Sequence, residues 1–286
     1  MNSYHQLLNK YRHLCSEKSI PEETARLFLF ELCNEAHINL YTELDHEADL
    51  KIADRYIMGM ARILNYEPMA HVLGYSYFYD YKFKVNGDVL IPRYETEELV
   101  MNILMDLDNY FGDYQTIKAV DIGTGSGAIA ISLVKENPKI KMVATDISDK
   151  ALLVARDNAQ LNDVEMEFLL GDMLKPLMAA ELKFDLLVSN PPYIPSGEVL
   201  ETSVKDFEPH VALFGGCDGL NYYRQILSEC ANVLNDHALI AFEIGFDQKE
   251  RIQELIREYL PGSEYMCYQD INGKDRMMII HYHRKD

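Results

Sequence analysis

Asn190-Pro191-Pro192-Tyr193 ends an apolar run, Phe184-Asp185-Leu186-Leu187-Val188, with a polar amide, two prolines and an aromatic ring. Neither proline carries a backbone N–H, so the segment cannot extend a sheet ladder. It can instead hold the Asn190 side chain and the neighbouring carbonyls as a fixed array of acceptors roofed by the Tyr193 ring. Such an array suits a planar NH2 group: two hydrogens go to acceptors, and the nitrogen lone pair points elsewhere. A proline-rich loop without chemistry is the plain alternative. A second set of residues bears on that choice. Gly123, Gly125 and Gly127, with Thr124 and Ser126 between them, let a backbone pass close to a ligand and turn into a helix N-terminus. Asp146 follows roughly 20 residues later, where a carboxylate can take both hydroxyls of a ribose. With Ala128 the loop also satisfies the G-x-G-x-x-G/A pattern of nicotinamide-dependent dehydrogenases, so hydride transfer must be weighed. Three features favour S-adenosylmethionine. Asp121 precedes the loop, where it would repel a pyrophosphate but could accept from a cationic amino-acid end. Asp172, followed by Met173, ends a third strand and could accept from an adenine amine. Asn190-Pro191-Pro192-Tyr193 ends a fourth and has no role in hydride transfer.

The elements that must position these residues follow from periodicity. From Lys118 onward, short apolar runs alternate with helical segments. The runs are 119–122, 142–146, 167–170, 184–188, 238–244, 264–268 and 276–282. This pitch predicts an α/β domain with a doubly wound, mostly parallel sheet, whose ligands sit beyond the C-terminal strand ends. Ahead of it, Tyr75, Tyr77, Tyr79, Tyr81, Phe83 and Val85 alternate with polar residues and Phe78, predicting a hairpin. Its aromatic row could stack bases, although simple packing explains it better. Residues 1–74 carry helical stripes, with Tyr4, Leu7, Leu8, Tyr11, Leu14 and Cys15 on one face. A second helix follows the capping-box spacing of Ser19 and Glu22 through Leu27, Phe28, Leu32 and Ala36. A third places Leu50, Ala53, Ile57, Met60 and Leu64 together. No chemistry-bearing cluster appears there, so the expected organisation is a helical substrate-docking domain (1–74), a β-hairpin connector (75–90) and an S-adenosylmethionine-dependent domain (91–286). In Glu95, Glu97 and Glu98 carboxylates meet the positive end of a helix dipole; Arg93 is not explained that way.

Composition narrows the partners. The 286 residues are 48% hydrophobic and 10% aromatic, enough for packed cores. Lys and Arg number 27 against 46 Asp and Glu, a formal charge of −19, which opposes general attraction to nucleic acid. The five cysteines are scattered without C-x-x-C spacing, so free thiols are expected rather than a disulfide framework or a zinc site. Met1-Asn2-Ser3-Tyr4-His5-Gln6 has no basic and apolar signal-peptide pattern, and no apolar run approaches membrane-spanning length. A cytoplasmic protein without bound metal is the expectation.

Together these segments resemble the peptide chain release factor glutamine N5-methyltransferase family. The resemblance rests on Val89-Leu90-Ile91-Pro92-Arg93-Tyr94-Glu95-Thr96-Glu97, Asp121-Ile122-Gly123-Thr124-Gly125-Ser126-Gly127-Ala128-Ile129-Ala130 and Val188-Ser189-Asn190-Pro191-Pro192-Tyr193-Ile194-Pro195. Phe207-Glu208-Pro209, Gly215-Gly216-Cys217-Asp218-Gly219-Leu220 and Glu243-Ile244-Gly245 add to it. It runs from about Leu73 to the end, and a small helical N-terminal domain fits as well. Tyr94 departs from it where a second proline is usual, and Asp80 where the hairpin usually has glycine. The resemblance implies a seven-stranded methyltransferase sheet, S-adenosyl-L-methionine as cofactor, and the glutamine of the Gly-Gly-Gln loop of class-I release factors as substrate. Cofactor contacts would come from Asp121, Gly123, Thr124, Gly125, Ser126, Gly127, Asp146, Asp172, Met173 and Asn190. Asn190 Oδ1 and the Pro191 carbonyl would accept the two amide hydrogens, with Pro192 lining the site and Tyr193 over the amide plane. A ribosomal-protein glutamine methyltransferase, an adenine-N6 nucleic-acid methyltransferase and a non-catalytic partner of the translation machinery are the competing readings. The charge counts against the second, and an intact Asn190 and glycine loop against the third.

Overall fold

The computed structural model describes residues 3–284; Met1 and Asn2 of the opening stretch, and Lys285 and Asp286, lie outside the described residues. The chain divides into two compact units, one taking in the chain up to Gly74 together with Glu201–Phe207, the other Tyr75–Leu200 and the chain from Glu208 on.

The first unit is helical: Tyr4–Glu17, Glu22–Glu35, Leu40–Glu43, Leu50–Ile63, Met69–Leu73 and Thr202–Phe207. A reciprocal capping box of Ser3 and Gln6 starts the first helix, and the Asp49 carboxylate accepts from the Lys51 and Ile52 amides to start the fourth. The core centres on Tyr56, stacked on Phe28 and edge-on to Tyr11, its buried hydroxyl donating to the Ala25 carbonyl. Gly59 is where two helices approach, since a Cβ there would stand 2.2 Å from the Phe28 ring. Three expectations fail in detail. Ser19 takes a left-handed conformation at φ +58°, and the second helix begins after Pro21 without a side-chain cap. In that helix Ala25 and Leu29 are buried, whereas Leu27 is exposed. In the fourth the buried stripe is Ile52, Tyr56, Met60 and Ile63, while Leu50 and Ile57 face outward. Both stripes have helical spacing, and the larger aromatic surface of Tyr56 decides which one turns inward.

The second unit opens with the hairpin β1 (Tyr75–Phe78) and β2 (Tyr81–Lys84). Tyr79 and Asp80 form the turn with φ of +53° and +63°, the positive φ that a tight hairpin turn demands at both central residues. Asp80, where the resemblance implies glycine, takes that conformation itself. The turn also breaks the aromatic row: Phe78 and Phe83 are buried edge to face, whereas Tyr77 is exposed. The hairpin is no free connector. Asn158, fully buried, bonds both backbone groups of Lys84 and the Ser126 carbonyl, and Asn162 bonds the Lys82 carbonyl.

Seven further strands form one sheet: β3 (Ile117–Ile122), β4 (Ile140–Asp146), β5 (Glu167–Leu170), β6 (Phe184–Ser189), β7 (Leu234–Glu243), β8 (Glu264–Gln269) and β9 (Asp275–His283). Their order is β5-β4-β3-β6-β7-β9-β8. Neighbours pair in parallel except that β9 runs antiparallel to both β7 and β8. Strand residues alternate between the two faces. Val120, Leu187, Ile240 and Phe242 join one core, and Ala119, Leu186, Val188, Leu239 and Ala241 the other. Helices Tyr94–Phe111, Ala128–Glu136, Asp149–Leu161, Asn221–Glu229 and Lys249–Tyr259 belong to this unit. Strand order reverses between β3 and β6, the place where doubly wound sheets open a crevice.

Candidate functional site

The glycine loop leaves β3 and is pinned to the end of β4. Gly123 and Thr124 donate to the Thr145 carbonyl at 2.9 Å each, and Gly125 donates to Asp146 Oδ2 at 2.9 Å. Asp146 Oδ1 accepts from the Ser148 amide at 2.9 Å, so one carboxylate orients both the loop and the start of the next helix. Burial raises its pKa, and backbone N–H groups oppose that rise. Gly123 and Gly125 have positive φ, and a Cβ at either would meet no atom of the protein within 4 Å. The space above them is a cradle for something else. Gly127 serves differently: its φ is +82°, and a Cβ there would stand 3.0 Å from Ile131 Cδ1.

A cleft opens over this loop. Gly123, Thr124, Gly125, Ser126, Asp146, Asp172, Met173, Asn190 and Pro192, all expected from the sequence, line it. Asp121 and Gly127 are not part of its wall. Asp121 is 1% exposed beneath the loop. Its Oδ2 accepts from the Thr124 hydroxyl at 2.6 Å, and Oδ1 has no partner. Burial pushes its pKa up to about 7. An unsatisfied buried carboxylate under the glycine cradle fits a ligand that brings positive charge and donors, as the amino-acid end of S-adenosylmethionine does. The half-exposed Asp172 carboxylate pairs with Lys175.

Asn190 follows β6 and lines the cleft. Its Nδ2 lies 3.4 Å from Thr96 Oγ1, whose hydroxyl donates to Glu243 Oε2 at 2.5 Å. Glu243 ends β7, is 2% exposed, and burial raises its pKa against the donors around it. Its other oxygen faces the Tyr193 hydroxyl at 3.4 Å. Tyr193 and Pro191, expected at the substrate, are not part of the cleft wall. Pro191 is buried, and the Tyr193 ring packs against the core that contains Tyr223 and Phe242. Tyr193 supports the site from behind, through Glu243, because its hydroxyl finds a buried carboxylate there.

The loop after the prolines is held by contacts the sequence did not announce. Gln248 Nε2 donates to the carbonyls of Tyr193 and Gly219, at 3.0 and 3.3 Å. Ile194 exchanges backbone hydrogen bonds with Leu213 and Gly215. A Cβ at Gly215 would stand 2.4 Å from the Pro192 carbonyl oxygen, and one at Gly219 2.2 Å from that of Tyr193. Only glycine allows this approach. Arg93, on the cleft wall, bonds Glu208 Oε1 at 2.6 Å, with the Glu208 side chain 1% exposed. That pair joins the Ile-Pro-Arg turn to the Phe-Glu-Pro turn and accounts for Arg93. Glu97 and Glu98 also do more than meet a dipole: they accept from the Tyr79 and Ile271 amides. Tyr94 is the first residue of its helix, where proline is favoured but not required, and its side chain is exposed. Thr96, Glu208, Glu243 and Gln248 are the contributors that spacing missed. Short motifs contain Thr96, Glu208 and Glu243, and nothing in the sequence signalled Gln248.

The methyltransferase small domain family matches residues 101–207. A release factor glutamine methyltransferase of Bacillus cereus is 44% identical over 214 residues, 74% of this chain and 75% of that protein. One from Staphylococcus aureus is 34% identical over 280 residues, 97% of this chain and 99% of that protein. Among solved structures, a methyltransferase from Pyrococcus furiosus superposes with a TM-score of 0.52 at 18% identity, over 78% of this chain and 98% of the other.

Proposed function

The chain belongs to the release factor glutamine methyltransferase family, and from that premise we propose that its cleft methylates the side-chain amide nitrogen of the glutamine in the Gly-Gly-Gln loop of class-I peptide chain release factors. S-adenosylmethionine, when bound, supplies a methyl group on a cationic sulfur. Asp146 is the acceptor for ribose hydroxyls, the glycine cradle admits the backbone of the ligand, and Asp121 balances its positive amino-acid end. Asp172 and Met173 face the remaining part of the cleft.

The observation that carries the reading is Asn190. Its Nδ2 is turned to Thr96, and Oδ1 has no protein partner among the described residues. Amide nitrogens are poor nucleophiles because the lone pair is delocalised into the carbonyl. A fixed acceptor for an N–H holds the NH2 group in one orientation, and such alignment is worth several kcal/mol of barrier, or about 100-fold per ångström of misplacement. The methylated nitrogen is strongly acidic and releases its proton without a dedicated base.

The helical unit is assigned the docking of the folded substrate, because it carries none of the cleft residues. The charge of −19 speaks for a protein rather than a nucleic-acid substrate. No helix among the described residues is long and apolar enough to cross a membrane, and we place the enzyme in the cytoplasm with its substrate. Mass spectrometry of a release factor incubated with the protein and isotope-labelled S-adenosylmethionine tests the proposal. One labelled methyl should appear on the Gly-Gly-Gln glutamine. Asn190→Ala should lower turnover by roughly two to four orders of magnitude with little change in cofactor affinity. Label on another residue, or none, refutes the substrate; wild-type turnover by Asn190→Ala refutes the acceptor.

A further inference from the structure

An asparagine side chain presents an acceptor on one side and a donor on the other, and a half-turn about its last bond exchanges them. A site that must recognise an N–H therefore needs something to hold Asn190 one way round. The chain of groups behind it has the right polarity. Glu243 is buried at the end of β7, with the Thr96 hydroxyl at 2.5 Å from one oxygen and the Tyr193 hydroxyl at 3.4 Å from the other. Arg276 acts on it from β9 as a nearby positive charge, and Glu95 as an opposing negative one. The Thr96 hydroxyl donates to Glu243 Oε2, so its proton is committed there. The Thr96 oxygen then has only lone pairs to offer, and what faces it must be the Nδ2 of Asn190, as observed at 3.4 Å. Oδ1 is left for the cleft.

We propose that Thr96 and Glu243 are positioning residues that hold Asn190 with its acceptor toward the substrate, and so select a substrate that donates an N–H. The inference rests on the amide-methylating function for its kinetic consequence, though not for its geometry. Neither residue touches the reacting atoms in this account; both act through Asn190. The reverse polarity, a protonated Glu243 donating to Thr96, would have Thr96 donate to Asn190 Oδ1 and turn the NH2 group into the cleft, where it would face the substrate amide NH2 donor to donor.

The first test needs no substrate. In the wild-type protein, nuclear Overhauser contacts between the Asn190 Nδ2 protons and the Thr96 methyl group are expected, the Asn190 resonance being identified by its disappearance in Asn190→Ala. Absence of those contacts, with the Nδ2 protons exchanging freely with water, overturns the proposal. The second test is kinetic, with a Gly-Gly-Gln protein as methyl acceptor. Thr96→Val, nearly isosteric but without a hydroxyl, should lower kcat about 10- to 100-fold through misplacement of Asn190. The dissociation constant for S-adenosylmethionine should stay within about twofold, because the glycine cradle and Asp146 are untouched. Thr96→Ser should recover most of the loss. Combined with Asn190→Ala, Thr96→Val should add almost nothing, since its effect passes through a side chain already removed. Equal effects of Thr96→Val in both backgrounds would mark a merely structural role and refute the proposal. Should Thr96→Val not fold, Glu243→Gln replaces it in the same cycle. If the wild-type protein binds the cofactor yet methylates no glutamine, the functional reading fails, and the resonance measurement still decides the positioning.

Discussion

Asp121 should make cofactor binding and protein stability depend on pH in opposite senses. The carboxyl is 1% exposed, accepts the Thr124 hydroxyl and leaves Oδ1 without a partner. Burial, its main perturber, lifts its pKa from 3.8 to about 7, with the Asp146 charge adding to the rise. A raised pKa means the folded protein holds this proton more tightly than the unfolded chain. The group's stabilising contribution is complete below its unfolded pKa and is lost as pH rises through about 7. Each pH unit well inside that window is worth about 1.4 kcal/mol and the slope halves at the folded pKa, so between pH 5 and 7 this group alone removes about 2 kcal/mol. A ligand with a cationic end reverses the sense, since it requires the ionised form. Affinity should rise about tenfold per pH unit up to pH 7 and then level off. Asp121→Asn removes both dependences. Urea unfolding of the cofactor-free proteins at pH 5, 6 and 7 should show wild-type stability falling relative to the variant. Calorimetric titration with S-adenosylmethionine over the same range should show wild type gaining affinity and the variant remaining flat and weaker. Parallel curves for the two proteins in either measurement would refute the assignment.

Three further outcomes follow from particular contacts. Gly125→Ala, at φ +55° with nothing near its Cβ, should cost roughly 1–2 kcal/mol in unfolding free energy for the left-handed backbone. It should weaken S-adenosylmethionine binding by more than that, because the methyl enters the cradle; unchanged affinity by calorimetry would contradict the cradle. Gly215→Ala places a Cβ 2.4 Å from the Pro192 carbonyl oxygen, whereas at Gly197, in the same loop, a Cβ meets nothing within 4 Å. Only Gly215→Ala should lower kcat, by about 100-fold, and equal rates for the two variants would sink the idea that this contact fixes the acceptor array. Starting the chain at Tyr75 should keep cofactor affinity while lowering kcat/KM on folded release factor; unchanged kinetics would reduce the helical unit to structural support.

What was legible beforehand was what is local. Strand alternation sorted Ala119 and Val120, or Leu186 and Leu187, onto opposite faces, and that is how the two cores divide them. Each glycine, carboxylate and amide of interest stood just past an apolar run, so strand ends could be located without knowing which strands pair. Two kinds of information were missing. Where two helical stripes competed, as with Leu50 and Ile57 against Ile52 and Tyr56, spacing satisfied both and only packing against Phe28 and Tyr11 settled it. Where a side chain's partner is remote, nothing in the neighbourhood reveals it: Thr96 and Glu243 lie 147 residues apart, Arg93 and Glu208 115. The Tyr193 hydroxyl is a further case, its partner Glu243 standing 50 residues on.

The two prolines make sense in that light. Removing two N–H donors frees this stretch from the ladder, but a segment without ladder bonds has nothing of its own to hold it still. The stiffness is supplied from outside. Gly215 and Gly219 bring a second strand of backbone against the Pro192 and Tyr193 carbonyls, and Gln248 clasps the Tyr193 and Gly219 carbonyls with one amide. Asn190 is held by Thr96. A site built to accept from an NH2 group must first satisfy its own donors elsewhere, and here each donor behind Asn190 is spent on Glu243 or on a carbonyl. The acceptor left over in the cleft is Asn190 Oδ1.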